Sequence, residues 1–295
     1  MSKSPELHKL DKKQVRRSFD AAAEYYDDVA VLQREVGQRS VERLDLVKLV
    51  PQVILDVGSG TGVISHALGG RYKKSRLISL DMATHMLQVA RSKKTWLSHW
   101  LGKQAYVCAD AEYLPLADNS VDLIFSNLTL QWCGELDQVF AEFRRVLRPE
   151  GLLMFSTFGP DTLKELRDSW NKVEAGDADF HVSDFIDMHD IGDALLRAGL
   201  ADPVMDVERF TLTYPDVYKL MKELKTLGAS NAAMARRSSL TGKRRLMSMV
   251  ANYETYRVNG TLPATYEVVY GHAWGSPGAK DIQVSLESLS RRGTE

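Results

Sequence analysis

The run Val53-Ile54-Leu55-Asp56-Val57-Gly58-Ser59-Gly60-Thr61-Gly62 constrains this chain more than any other stretch. Its β-branched and aliphatic start, interrupted by one acid, reads as a buried central strand. The glycines at alternate positions read as a tight turn into a helix. Glycine suits such a turn because it accepts positive φ and lets a ligand approach bare backbone. Strand, glycine turn and helix in that order imply an α/β sheet with a crevice at the carboxyl ends of its strands. A dinucleotide fingerprint, Gly-x-Gly-x-x-Gly, would put its last glycine where Val63 stands, so the pattern is not that one. An acid at the strand end, Asp56, suits a ligand that carries positive charge and no pyrophosphate.

The remaining strands follow by the same reasoning. Val63 to Leu68 begins a helix that Gly69-Gly70 should stop. Arg76–Asp81 is predicted as the second strand; an acid at its tip can hold a ribose diol, cap the next helix, or both. Met82 is placed to pack on an adenine face. A helix over 83–93 and a strand over Gln104–Cys108 come next, followed by the loop acid Asp110. Val121–Asn127 is predicted as strand four. Asn127, Leu128, Gln131 and Trp132, at and just past its end, should line the site, although Leu128 and Trp132 fit core packing equally well. Over 135–148, Leu136, Val139, Phe140, Phe143, Val146 and Leu147 fall on one helical face. That helix stops at Arg148-Pro149-Glu150-Gly151, before a strand over Leu152–Thr157.

Later come a helix over 189–199 and a strand over Val204–Tyr214. Two helical stretches, 215–227 and about 240–256, precede a last strand over Tyr266–Trp274. Residues 11–48 look helical, with Val29, Leu32 and Val36 on one face. They serve either as a lid over the ligand mouth or as cover for the sheet edge, and Phe19, Tyr25 and Tyr26 decide between these. The whole is one domain over 1–275, with a helical insertion over 215–263 and a tail over 276–295 whose composition predicts disorder. Alternating strands and helices predict one mostly parallel sheet covered on both faces.

At 295 residues, 44% hydrophobic and 26% charged, the chain is long enough for a substantial core. A net charge of -1 argues against wholesale nucleic-acid binding but leaves room for a local basic patch. No apolar run is long enough to span a membrane. The start, with Glu6 and Asp11 among its lysines, reads as neither a secretory signal nor a transit peptide. Cys108 and Cys133 stand apart, which suits a reducing cytoplasm and offers no metal site.

The Asp-x-Gly-x-Gly-x-Gly form resembles motif I of the class I S-adenosylmethionine-dependent methyltransferases. The later blocks narrow the likeness: Asn127 to Trp132, Phe158-Gly159-Pro160-Asp161-Thr162-Leu163, Asp187 to Leu195, Asp202 to Asp206 and Tyr270-Gly271-His272-Ala273-Trp274. They resemble the malonyl-[acyl-carrier protein] O-methyltransferases of biotin synthesis. The resemblance implies a Rossmann-like, seven-stranded, mostly parallel sheet with an N-terminal helical lid and a helical insertion before the last strand. It implies S-adenosylmethionine as cofactor, held by Asp56, Gly58, Ser59, Gly60, Gly62, Asp81, Met82, Asp110, Ala111, Asn127 and Leu128, with Asp110 accepting from the adenine amine. It also implies an acyl carrier protein bearing a malonyl thioester as partner.

Tyr25, Gln131 and Trp132 are the expected acceptor contacts. A carboxylate acceptor wants a bidentate arginine, for which Arg167, Arg236 and Arg237 are candidates. Lys243, Arg244 and Arg245 could dock an acidic carrier, or form an ordinary solvated face. No catalytic base is expected, since a carboxylate is already ionised at neutral pH. Three other readings stay open. One is a methyltransferase for a quinone or small-molecule carbon, with His181, His189 or His272 as base. The others are a relative of the arginine hydroxylase of complex I assembly, and a SAM-binding scaffold without turnover.

Overall fold

The run ahead of the glycine turn becomes β1 (Val53–Val57), the third strand in from one edge of a seven-stranded sheet. The computed structural model describes residues 10–93, 104–174, 185–229 and 242–276. Its other strands are β2 (Arg76–Asp81), β3 (Gln104–Cys108), β4 (Val121–Asn127), β5 (Leu147–Phe158), β6 (Leu200–Tyr214) and β7 (Leu262–Gly275). Their spatial order is 3-2-1-4-5-7-6. Pairings from β3 to β5 are parallel, and β7 runs antiparallel to both its neighbours. The strand order reverses between β1 and β4, which opens a crevice at their carboxyl ends.

Burial explains the layers. Central strands are buried on both faces, and the side-chain period of two sorts their residues. Ile54, Leu123, Phe125, Leu152 and Met154 pack to one face with Leu44 and Leu68. Leu55, Val57, Ile124, Leu153 and Phe155 pack to the other, where α6 (Leu136–Val146) contributes Val139, Phe140, Phe143 and Val146. Edge strand β6 alternates between covered and open residues, as a strand with one wet face should.

Helices α1 (Lys12–Ala22), α2 (Tyr26–Val29) and α3 (Val31–Arg43) precede the sheet. The predicted helical stretch is therefore broken, at Ala23–Tyr25 and at Ala30. Helix α4 (Val63–Arg71) runs straight through Gly69 and Gly70. Neither glycine adopts positive φ, so neither acts as the expected stop. Leu68, fully buried against the sheet, holds the last turn in place despite the glycines' poor propensity. Strand β5 starts at Leu147, five residues earlier than expected, because Glu150 takes φ 62° and lets the chain kink within the ladder.

Helix α5 (Thr84–Ser92) follows β2, while α7 (Lys164–Glu174) and α8 (Met188–Arg197) follow β5. The insertion before β7 supplies α9 (Val217–Thr226) and α10 (Lys243–Glu254). These pack with α7 and the inner end of β7 into a separate apolar cluster containing Leu166, Trp170, Leu220, Met249, Tyr253 and Tyr266. Leu32 and Val36 of α3 join it, so the N-terminal segment and the insertion meet above the sheet. Among the described residues no helix is long and apolar enough to cross a membrane. The predicted tail, from 277 onward, lies outside the described residues.

Candidate active site

The glycine turn folds back on the tip of β2. Gly58 and Ser59 both donate backbone N–H bonds to the Leu80 carbonyl, at 2.8 and 3.0 Å. Gly60 donates to Asp81 Oδ2 at 2.8 Å. All three glycines have positive φ: 69° at Gly58, 52° at Gly60 and 83° at Gly62. At Gly58 the requirement is also steric, since a Cβ there would sit 2.0 Å from Thr129 Oγ1. The second carboxylate oxygen of Asp81 accepts the Ala83 N–H at 2.8 Å, just ahead of α5. One acid thus fastens both the turn and the following helix, and each of its oxygens keeps a lone pair for a ligand.

Above this turn lies a cleft of about 850 Å³. Its walls bring together Gly58, Gly60, Asp81, Met82, Asp110, Ala111, Asn127, Leu128, Gln131 and Trp132, from the tips of four strands. Phe19, Tyr26 and Gln33 of the N-terminal segment close the other side. Phe19 meets Trp132 edge to face, with ring centres 5.2 Å apart. Asn127 donates to the Gln33 carbonyl at 3.0 Å and accepts from Ser156 Oγ at 2.8 Å, tying strand to helix.

Ion pairs fasten this segment across the crevice. Lys12 Nζ lies 2.5 Å from carboxylates of both Asp110 and Glu112. Burial alone would lower the Lys12 pKa, but the two carboxylates outweigh it and hold it above its ordinary value. Lys93 pairs with Asp27 and donates to the Thr61 carbonyl, while Thr61 Oγ1 donates to Asp27.

Several expected residues sit differently from their predicted roles. Asp56 is fully buried and takes a hydrogen bond from Ser65; it lines a smaller cavity beneath the turn rather than the main cleft. Ser59 lines that same cavity, and its buried hydroxyl has no partner among the described residues. Gly62 caps α4 and lines neither space. Tyr25 is 60% exposed and faces solvent, because the break at Ala23–Tyr25 rotates the chain; its neighbour Tyr26 reaches the cleft instead. Arg167 donates to the Pro160 and Thr162 carbonyls at 2.8 and 3.0 Å, fixing the turn before α7. Its guanidinium is committed to backbone, and it lines neither the cleft nor the chamber beside it. Asp110 reaches the cleft already paired with Lys12. Leu128 adopts φ 48°, a conformation a residue with a Cβ takes only under constraint. The constraint is visible: its N–H donates to Ser156 and its carbonyl accepts from Gln131 Nε2 at 2.6 Å. Arg236 and Arg237 lie outside the described residues. Lys243, Arg244 and Arg245 form the first turn of α10, where no acid accompanies them.

A second chamber of about 790 Å³ shares Gln33, Gln131, Trp132 and Phe158 with the cleft. Its remaining walls are largely apolar: Val29, Leu32, Leu163, Leu166, Leu212, Leu224 and Tyr266 among them. Gln33 was missed at the sequence level: the expected single helix set it four residues after Val29, but the break at Ala30 puts the two on different helices. Neither His189 nor His272 lines either space, and His181 lies outside the described residues. Burial raises the Asp81 carboxyl to about 6, against the pull of the Ala83 and Gly60 N–H groups. It raises Asp56 to about 7, with Ser65 opposing and Asp81 adding. An acid kept from ionising by burial favours a cationic ligand, which restores its charge.

The donors and acceptors present fit an adenosyl cofactor: a carboxylate at the β2 tip, bare backbone at the turn, and apolar Met82 and Ala111 side chains. Residues 55–155 match the family model described as a methyltransferase domain. The chain is 55% identical over 267 residues to a malonyl-[acyl-carrier protein] O-methyltransferase of Methylovorus sp., covering 90% of this chain and 89% of that one. It is 52% identical to the protein of the same name from Gallionella capsiferriformans, covering 90% and 91%. Among solved structures, the YcgJ protein of Bacillus subtilis superposes with a TM-score of 0.57 at 15% identity, over 82% of this chain and all of that one. That likeness concerns the fold alone.

Proposed function

This chain belongs to the malonyl-[acyl-carrier protein] O-methyltransferase family, and from that premise we propose that it methylates the free carboxylate of a malonyl thioester. S-adenosylmethionine supplies the electrophilic methyl group when bound. The observation that carries the reading is adjacency: the cleft over the glycine turn, with Asp81 and Asp110 on its walls, borders the apolar chamber along Gln33, Gln131, Trp132 and Phe158. In this reading the cofactor occupies the cleft and the acceptor the chamber, and the two react along that shared border. The nucleophile arrives ionised, so the chain's task is alignment and exclusion of water rather than proton removal. Phe19, Tyr26 and Trp132 exclude water at the junction, and the constrained Leu128 turn fixes Gln131 against Thr157. The product ester hides a charge and so resembles an ordinary fatty acyl chain, consistent with a role in biotin synthesis.

Asp81, the glycine turn, Met82, Asp110, Ala111, Asn127 and Leu128 hold the cofactor in this reading, with Asp56 polarising the turn from beneath. Trp132 and Gln131 face the acceptor. Arg236 and Arg237 are the proposed carboxylate holders: the segment that contains them follows Ala229, which lines both spaces. The rival carbon methylation would want a base near the methyl, and the relatives favour neither it nor the scaffold reading. A cytoplasmic location is part of the same proposal. The decisive experiment offers malonyl, succinyl and glutaryl thioesters on acyl carrier protein and on coenzyme A, and weighs the products. A mass gain of one methyl group on malonyl thioesters is expected; methylation of none of them would end the proposal.

The carrier docks, in this reading, on the first turn of α10. Three cations at the positive end of a helix dipole repel it and gain from an anionic partner. Reversing Arg244 and Arg245 to glutamate is expected to raise KM about tenfold for malonyl-acyl carrier protein and to leave malonyl-coenzyme A unchanged. Acids in a first turn stabilise a helix, so a loss cannot be blamed on unfolding. Equal effects on both substrates would remove this docking site.

A further inference from the structure

One side chain stands apart along the wall between cleft and chamber. Among the described residues, most polar groups that line the chamber are already committed. Gln131 donates to the Leu128 carbonyl and accepts from Thr157. Thr162 donates to the Glu267 carbonyl. Glu223 accepts from Tyr214, and Tyr214 is also bonded to Tyr266. Two donors are left at the junction: the Trp132 indole N–H and the Gln33 side-chain amide. Gln33 is half-buried and lines the cleft, the chamber and the smaller cavity beneath the turn. Its own main chain is anchored there by the Asn127 bond.

We propose that the Gln33 side-chain amide holds the acceptor carboxylate at the junction, donating N–H to one oxygen and leaving the other directed toward the cleft. This rests on the function proposed above and adds a residue that neither motif nor spacing pointed to. Three features support it. The amide is uncharged, so it orients a carboxylate without quenching its nucleophilicity as strongly as a second cation would. It comes from the N-terminal segment, so the acceptor is held only when that segment lies across the crevice. Glu223, the one charged residue among the described walls of the chamber, offers a carboxylate no favourable contact there, which leaves the donors at the junction to hold it.

The test compares Gln33→Leu with Gln33→Glu in the full-length chain. A lost hydrogen bond to a charged group should lower kcat/KM for malonyl-coenzyme A by roughly 10- to 100-fold in Gln33→Leu. Calorimetry should show S-adenosylhomocysteine binding within about twofold of wild type, and weaker binding of malonyl-coenzyme A to the S-adenosylhomocysteine-loaded protein. Gln33→Glu keeps the shape but adds a charge facing a carboxylate, so it should be worse than Gln33→Leu at pH 8 and recover as the pH falls. A Gln33→Glu variant as active as wild type, or a Gln33→Leu defect confined to S-adenosylhomocysteine affinity, overturns the inference. A wild-type chain inert on every malonyl thioester overturns the proposed function itself, a distinct result.

Discussion

Asp81→Ala is expected to weaken S-adenosylhomocysteine binding by about two to four orders of magnitude while leaving a folded protein. The carboxylate stands at the β2 tip with one oxygen on the Gly60 N–H and the other on the Ala83 N–H. A diol bound there would add two charge-assisted hydrogen bonds, each worth about 1.5–3 kcal/mol. Their sum corresponds to a loss of roughly a hundredfold to ten-thousandfold in affinity. Removing the side chain also frees the Gly60 N–H and loosens the turn, an effect in the same direction. Stability should change little. The mutation removes a buried acid that ionises at a cost, which offsets the lost hydrogen bond from the Ala83 N–H ahead of α5. Titration calorimetry on the purified variant, with a thermal melt beside it, reads both quantities. A loss smaller than about fivefold would show that the β2 tip does not hold the cofactor.

Part of this site was legible in the sequence because residue type alone set the outcome. Only glycine could make the turn at Gly58, where Thr129 leaves no room for a Cβ. The apolar face of α6 repeated cleanly enough to place it, and acids at strand ends declared themselves. What stayed hidden depends on long-range pairing or on phase. Lys12 meets Asp110 across nearly a hundred residues, and no local pattern announces that. Tyr25 and Tyr26 exchange places because a break in the helix, not a propensity, decides which one turns inward. Arg167 looked like an anion holder by type, yet a nearby turn with two open carbonyls claimed it. Gln33 was hidden by the opposite bias: a polar residue on an apolar stripe reads as noise until a cavity is seen against it.

Cofactor binding should itself be proton-linked, and strongly. In the free protein burial holds Asp81 near 6 and Asp56 near 7, both above their unfolded values near 3.9. A raised folded pKa means the native state binds more protons than the unfolded chain between those limits. Stability contributed by the two acids is therefore full below about pH 4 and lost as the pH rises through about 6 and 7. Binding of a cation in the cleft runs the other way, because it needs Asp81, the acid that lines it, ionised. S-adenosylmethionine affinity should thus fall as the pH drops below about 6, by up to tenfold per unit for each proton displaced. Calorimetry near pH 6 in buffers of different ionisation enthalpy should detect protons released on binding. The release should be greater for S-adenosylmethionine than for S-adenosylhomocysteine, since only the former adds a sulfonium charge. Asp81→Asn cannot titrate and should remove the largest share of the release. If that variant releases as many protons as wild type, the titrating acid lies elsewhere, and the acid beneath the turn, Asp56, becomes the one to replace.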